Sequence, residues 1–275
     1  MLKRSKFYLM IGLLVVAGGA SCSRSLSQTS SSNSRQATKT ESDERLGLIN
    51  GDNDTDWFEL TDREVVLSVS ADNKLYCEVH SPLAEIPGKI TKTEIAREQL
   101  AEMMNALVTN ETPDRRIVHI NADDDVPYQN VIQIMDLVRR ADIDRIGFIV
   151  VNEDRANKRN AGGFEARLPA EPGRTKPVKP NPLMLMAELR PDGRLLLNSD
   201  DEGKTSDPQK LEKKLEDIFH QREKNGVFRE NDNEIEKTVF LKATKSAKYI
   251  DILKVLSILK RAGAQPIGIQ IDDLN

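Results

Sequence analysis

A chain that writes the same pattern twice must fold that pattern twice. Here the stretch from Arg116 to Val151 is echoed 121 positions on by Lys237 to Asp272. In the first copy Tyr128, Val131, Ile132, Met135 and Val138 recur at the spacing of one helical face. In the second, Tyr249, Ile252, Leu253, Leu256 and Leu259 fall at the same offsets. An apolar strand precedes each helix (Ile117 to Ile120, Val239 to Leu241). An Arg-Ala pair and a short run containing Ile146-Gly147 or Ile267-Gly268 follow it. The repeated unit therefore reads as strand, helix, strand. Asp125 and Ser246, just ahead of the two helices, are expected to cap them with side-chain oxygens. Gly263 and its counterpart Asp142 suit the left-handed residue that closes a helix.

Around this repeat the chain divides by composition. Lys3, Arg4 and Lys6 precede an apolar run from Phe7 to Ala20, which meets Ser21-Cys22 and a Ser-rich stretch, the layout of a signal peptide. A run of about 14 residues spans only about 21 Å as a helix, short of the roughly 30 Å hydrocarbon core. Residues 1–22 are therefore expected to act as a lipoprotein signal with Cys22 as the acylated residue. Ordinary cleavage and a retained anchor are the other two readings. Residues 23–56 are polar, with few bulky apolar groups, and read as a flexible tether.

A first unit is expected over 57–152. It opens on strands Val65 to Val69 and Leu75 to Val79 around an Asp72-Asn73 turn. Thr91-Lys92-Thr93-Glu94 fits a capping box ahead of a helix presenting Ala96, Leu100, Met103, Met104 and Leu107. Residues 153–182, rich in Pro and Gly, read as an interdomain linker. A second unit over 183–275 starts with a hairpin through Asp192-Gly193. It continues with a helix capped by Asp207, followed by Pro208, that carries Leu211, Leu215, Ile218 and Phe219. The polar stretch from Arg222 to Glu236 reads as a surface loop.

Little in the chain points to chemistry. His80, His119 and His220 are dispersed, and none recurs in the other repeat, so they read as structural. Asp123-Asp124-Asp125 could suggest Ca²⁺, but its counterpart is Thr244-Lys245-Ser246, and acids before a helix are favoured by its dipole. Met103 and Met104 read as core fillers and Cys77 as a small buried hydrophobe with no disulfide partner. No nucleophile elbow, phosphate loop or dinucleotide turn is present. The expectation is a protein that is not an enzyme and needs no cofactor or metal. A net charge of −4 and 4% aromatic residues speak against nucleic acid as a partner. Ile134 and Leu137 in the first repeat helix, and Val255 and Ile258 in the second, widen the apolar arc and are candidates for an interface.

The stretch Asn121-Ala122-Asp123-Asp124-Asp125-Val126-Pro127-Tyr128, with Val131, Met135-Asp136 and Ile146-Gly147, resembles the periplasmic domain of the ExbD/TolR biopolymer-transport family. Asp123, Val126 and Tyr128 fall on its motif. The second copy through Tyr249 to Ile267-Gly268 is similar. The resemblance implies an α+β fold of two tandem ExbD/TolR-like domains, each a small mixed sheet with two helices on one face. It also implies a periplasm-facing, membrane-tethered protein of the cell envelope that works with ExbB/TolQ- and TonB/TolA-type partners. Since the family's domain is a dimer, two copies in one chain imply an intramolecular pseudo-dimer. Family members carry a proton-handling aspartate in an N-terminal membrane helix, whereas Phe7 to Ala20 contains no acid. A binding module is therefore expected in place of a motor subunit, with peptidoglycan binding as the other envelope reading.

Overall fold

The computed structural model describes Arg45, Leu48 and residues 56–59, 65–79, 91–108, 116–155, 158–169, 181–230 and 233–271. Cys22 and the apolar run 7–20 lie outside the described residues. Among the described residues no helix is long and apolar enough to cross a membrane. The structure is mixed α/β. Its strands are β1 (Asp56–Glu59), β2 (Val65–Val69), β3 (Leu75–Val79), β4 (Thr91–Ile95), β5 (Ile117–Ala122), β6 (Arg145–Arg155), β7 (Lys158–Arg167), β8 (Leu185–Leu189), β9 (Arg194–Leu197), β10 (Asp200–Lys204), β11 (Val239–Ala243) and β12 (Ile267–Ile269). Its helices are α1 (Arg97–Val108), α2 (Tyr128–Arg140), α3 (Gln209–Asn225) and α4 (Tyr249–Arg261).

Among the described residues the twelve strands share one mixed sheet, in the order β10-β9-β8-β11-β12-β7-β6-β5-β2-β3-β4, with β1 alongside β7. This departs from the expected two separate small sheets. The cause is β7, which runs antiparallel to β6 from Arg155↔Lys158 to Arg145↔Arg167 and meets β12 in parallel at Gly268↔Arg167. It also takes β1 along its first half. The stretch read as a linker is therefore strand over Lys158–Arg167. Gly162 and Gly163, read as linker residues, sit in this strand beside a register shift at Ile149/Val151. That irregularity is where glycine is useful within a sheet.

On either side of β7 the connectivity is the same. The strands β4-β3-β2-β5-β6 and β10-β9-β8-β11-β12 each lie in the order third, second, first, fourth, fifth. Each side pairs its hairpin antiparallel and its later strands in parallel. Because β6 opposes β7 and β12 follows it, the two sides run in opposite directions across the sheet. The helices α2 and α4 approach each other across this divide.

Several local readings hold. The hairpin β2-β3 turns through Asn73 at φ 64°, and the helix-closing Asp142 and Gly263 stand at φ 61° and 83°. Others differ. Thr91–Ile95 is a strand paired with β3 rather than a capping box, because its alternating Thr suits a pleated edge and β3 offers an open ladder. The cap of α3 falls one residue later than expected, on Pro208, with no side-chain hydrogen bond. That helix also runs on through Arg222 to Asn225, closing at left-handed Gly226, so the polar stretch begins as helix. Asp200–Lys204 is a further strand, with no apolar alternation to announce it.

One face of the sheet carries the core. Val65, Leu67 and Val69, Val118, Ile120 and Ala122, and Ile146, Phe148 and Val150 alternate inward against Val131, Met135, Leu253 and Leu256 of the helices. On the other face an aromatic ring lies over a glycine in each repeat. His119 covers Gly147, and Phe240 covers Gly268, each pair directly in register. A Cβ at Gly147 would sit 2.4 Å from the His119 ring, and one at Gly268 2.5 Å from Phe240. That accounts for the shared Ile-Gly pair.

Cys77 is 2% exposed, and burial, with Glu78 adding a smaller push, raises its thiol to about 11. At pH 8 the native thiol is expected to react with iodoacetamide about a hundredfold more slowly than in the denatured chain, since two pKa units set the thiolate fraction. Peptide mass mapping reads the rate, and equal rates would refute the burial. The raised value favours the neutral thiol in the fold. Its contribution to stability is thus complete below the ordinary value of 9.0 and fades as pH climbs through about 11.

Candidate functional site

The segments carrying the motif, Asn121 to Tyr128 and Lys242 to Tyr249, meet each other. Each leaves its strand, turns, and enters α2 or α4 with an N-terminal amide row that has no partner inside its own helix. The expected caps do not supply one. The N-cap positions are Pro127 and Lys248, and neither makes a side-chain cap. The opposite segment does so with its carbonyls. Tyr128 N–H donates to Ala247 O at 2.7 Å, and Tyr249 N–H donates to Val126 O at 2.9 Å. One residue further, Gln129 N–H reaches Lys245 O at 3.0 Å and Ile250 N–H reaches Asp124 O at 3.2 Å. Pro127 and Lys248 form the antiparallel bridge at the centre. Each helix is capped by the other repeat.

The three aspartates go separate ways. Asp123 Oδ2 accepts from Ala71 N–H at 2.7 Å, tying the motif to the β2-β3 turn. Asp125 meets Lys248 Nζ at 2.5 Å across the bridge, and this hydrogen bond holds the exposed ammonium above its ordinary value. Asp124 receives Arg45, with Nε to Oδ1 at 2.6 Å. Among the described residues no group of three or more His, Cys, Asp or Glu is placed to hold a metal ion.

Beneath the junction the two motif tyrosines are fully buried, and burial pushes both phenols well above their ordinary value of 10.0. Their hydroxyls fare differently. Tyr249 donates to the Ile120 carbonyl at 3.0 Å, and its ring lies 6.3 Å from that of Phe148. Among the described residues the Tyr128 hydroxyl has no hydrogen-bond partner. Val126 is 1% exposed, at the floor of the first turn.

Arg45 completes one side of the junction. Its Nη1 donates to Asn121 Oδ1 at 3.1 Å and its Nη2 to the Ala122 carbonyl at 2.5 Å, and its guanidinium lies 5.8 Å from the centre of the Tyr249 ring. Three positions on, Leu48 packs against the core and its carbonyl accepts from Ser257 Oγ at 2.9 Å. Both residues fall in the stretch read as a tether. The available signal was the apolar run Leu46-Gly47-Leu48-Ile49 inside an otherwise polar segment. In the other repeat Lys242 and Lys245 stand where Asn121 and Asp124 do, so the acceptors for a guanidinium are replaced by cations.

Of the candidate interface residues, Ile134, Val255 and Ile258 are buried in the core, and Leu137 is half-buried against it. A separate cleft of about 750 Å³ lies by the C-terminus of α4, lined by Glu165, Arg167, Glu223, Arg229, Lys237 and Lys260 among others.

Fold and junction together define a mixed α/β module organised about the pairing of two like segments. Residues 34–153 match the family model described as biopolymer transport protein ExbD/TolR. The match ends before β7, so β8 to β12 lie outside it. No curated protein and no solved structure matches the chain. The family's proteins are envelope-associated, belong to biopolymer transport systems and work with partners of the ExbB/TolQ and TonB/TolA type.

Proposed function

We propose that this chain is a non-enzymatic cell-envelope protein of a biopolymer transport system that acts as a protein-binding module. In this reading its halves are two ExbD/TolR-like domains joined as an intramolecular pseudo-dimer. The observation that carries it is the reciprocal capping of α2 and α4, in which matching amides and carbonyls exchange hydrogen bonds across the junction. Two separate copies of a single domain would make such contacts across a two-fold axis. Anchorage through residues 1–22, by acyl chains on Cys22, would hold the module at the membrane surface. The alternative, a structural module binding peptidoglycan, draws on the charged cleft beside α4, whose cations and acids could meet a polar polymer.

A photo-cross-linking residue at exposed Gln133 on α2 tests the choice in whole cells. Covalent recovery of an ExbB/TolQ- or TonB/TolA-type protein is the expected result. Recovery of neither, together with retention of the protein on purified sacculi, would favour the polymer and overturn the transport reading.

A further inference from the structure

We propose that Asn121, Ala122, Asp124 and the ring of Tyr249 form an arginine-recognition site, filled in cis by Arg45. Its partner in trans would be a protein segment bearing an arginine with an aliphatic residue three positions further on. The inference rests on the protein-binding reading above and names the chemistry of the partner.

The receptor offers acceptors in the arrangement that a guanidinium fork requires. A carboxylate oxygen takes Nε, an amide oxygen and a backbone carbonyl take the two terminal nitrogens, and an aromatic ring lies beside the plane. A lysine ammonium, a point donor on a flexible stem, cannot span these acceptors together. The site is built from both repeats, Asn121 to Asp124 from one and Tyr249 from the other, so it exists only where the two segments meet. Its walls are firm. Tyr249 is fully buried, and Asp124 shares its backbone carbonyl with the first turn of α4.

The second contact is equally specific. Leu48 lies against the apolar core while Ser257 Oγ holds its carbonyl. Ser257 is in turn fixed by Arg261 Nη1 at 2.7 Å, whose Nη2 reaches Glu212 Oε2 at 3.0 Å. At the equivalent position on α2 stands Asp136, a buried carboxylate ion-paired with Arg139 and Arg140, which could not donate to such a carbonyl. The α4 face is therefore shaped for a chain bearing Arg and an aliphatic residue, and the α2 face is not.

A covalently attached segment competes at an effective concentration on the order of millimolar. A partner would enter when Arg45 and Leu48 leave these contacts.

The probe is a fluorescent peptide of residues 41–50, titrated into full-length protein and followed by anisotropy. Arg45→Ala is expected to bind it at least tenfold more tightly than the wild type, whose own arginine competes. Changing the peptide's arginine to lysine, or adding Asp124→Asn to the protein, is expected to weaken binding at least tenfold. Equal binding by wild type and variant, binding indifferent to Asp124 or to the peptide's arginine, or no binding by a folded variant would overturn the site. Should Arg45→Ala not fold, Arg45→Lys replaces it, keeping the charge and losing the fork. Peptide binding with no transport partner recovered at Gln133 and with retention on sacculi would uphold the site and sink the transport reading, whereas recovery of such a partner without peptide binding would do the opposite.

Discussion

Replacing Tyr249 with alanine is expected to lower stability by about 3–5 kcal/mol, the range for deleting a fully buried aromatic side chain. The ring is 0% exposed and touches both repeats at once. It sits near Phe148, carries Arg45 beside it, and ties its hydroxyl to the Ile120 carbonyl. A milder pair of variants separates hydroxyl from ring. Tyr249→Phe removes the hydroxyl's hydrogen bond to the Ile120 carbonyl and should cost about 1 kcal/mol. Tyr128→Phe removes a buried hydroxyl that has no partner among the described residues, and should be neutral or slightly stabilising. Urea denaturation at neutral pH gives all three values. Equal losses for the two Phe variants, or a loss below about 1 kcal/mol for Tyr249→Ala, would refute the account of the junction.

Gly163→Ala is expected to cost about 3 kcal/mol, at the upper end of what overpacking does, because its neighbour cannot turn aside. A Cβ there would stand 2.0 Å from the Phe148 carbonyl oxygen, a backbone atom on the adjacent strand. The damage would fall on β7, the strand that unites the sheet. Gly147→Ala is the natural comparison, since its Cβ meets the ring of His119, a side chain able to rotate. Thermal melts of the two should show the larger fall for Gly163, and a reversed order would refute this reading of the strand.

Much of this was legible in the sequence because it rests on periodicity. The two helix faces, the β2-β3 and β8-β9 hairpins and the left-handed stops at Asp142 and Gly263 all stand where apolar spacing and turn residues put them. What stayed hidden is non-local. Nothing near Lys158 to Arg167 indicates that β12 is waiting beside its far end, and a stretch containing Ala161-Gly162-Gly163 carries no strand alternation of its own. The caps failed for the same reason. Asp125 and Ser246 have the right chemistry, yet carbonyls some 120 positions away reach the helix amides first. Arg45 was missed because a single docked arginine leaves no periodic trace, and its acceptors lie in a segment far along the chain.

The exchange of caps also bears on how the molecule is made. Neither α2 nor α4 can satisfy its opening turn until the other has arrived, so the last part synthesised completes the part synthesised earlier. Chains that depend on contacts so remote in sequence cross a high entropic barrier and reach their final form slowly. The half that leaves the ribosome first would remain a provisional structure, and melting of the finished protein should be a single concerted event rather than two.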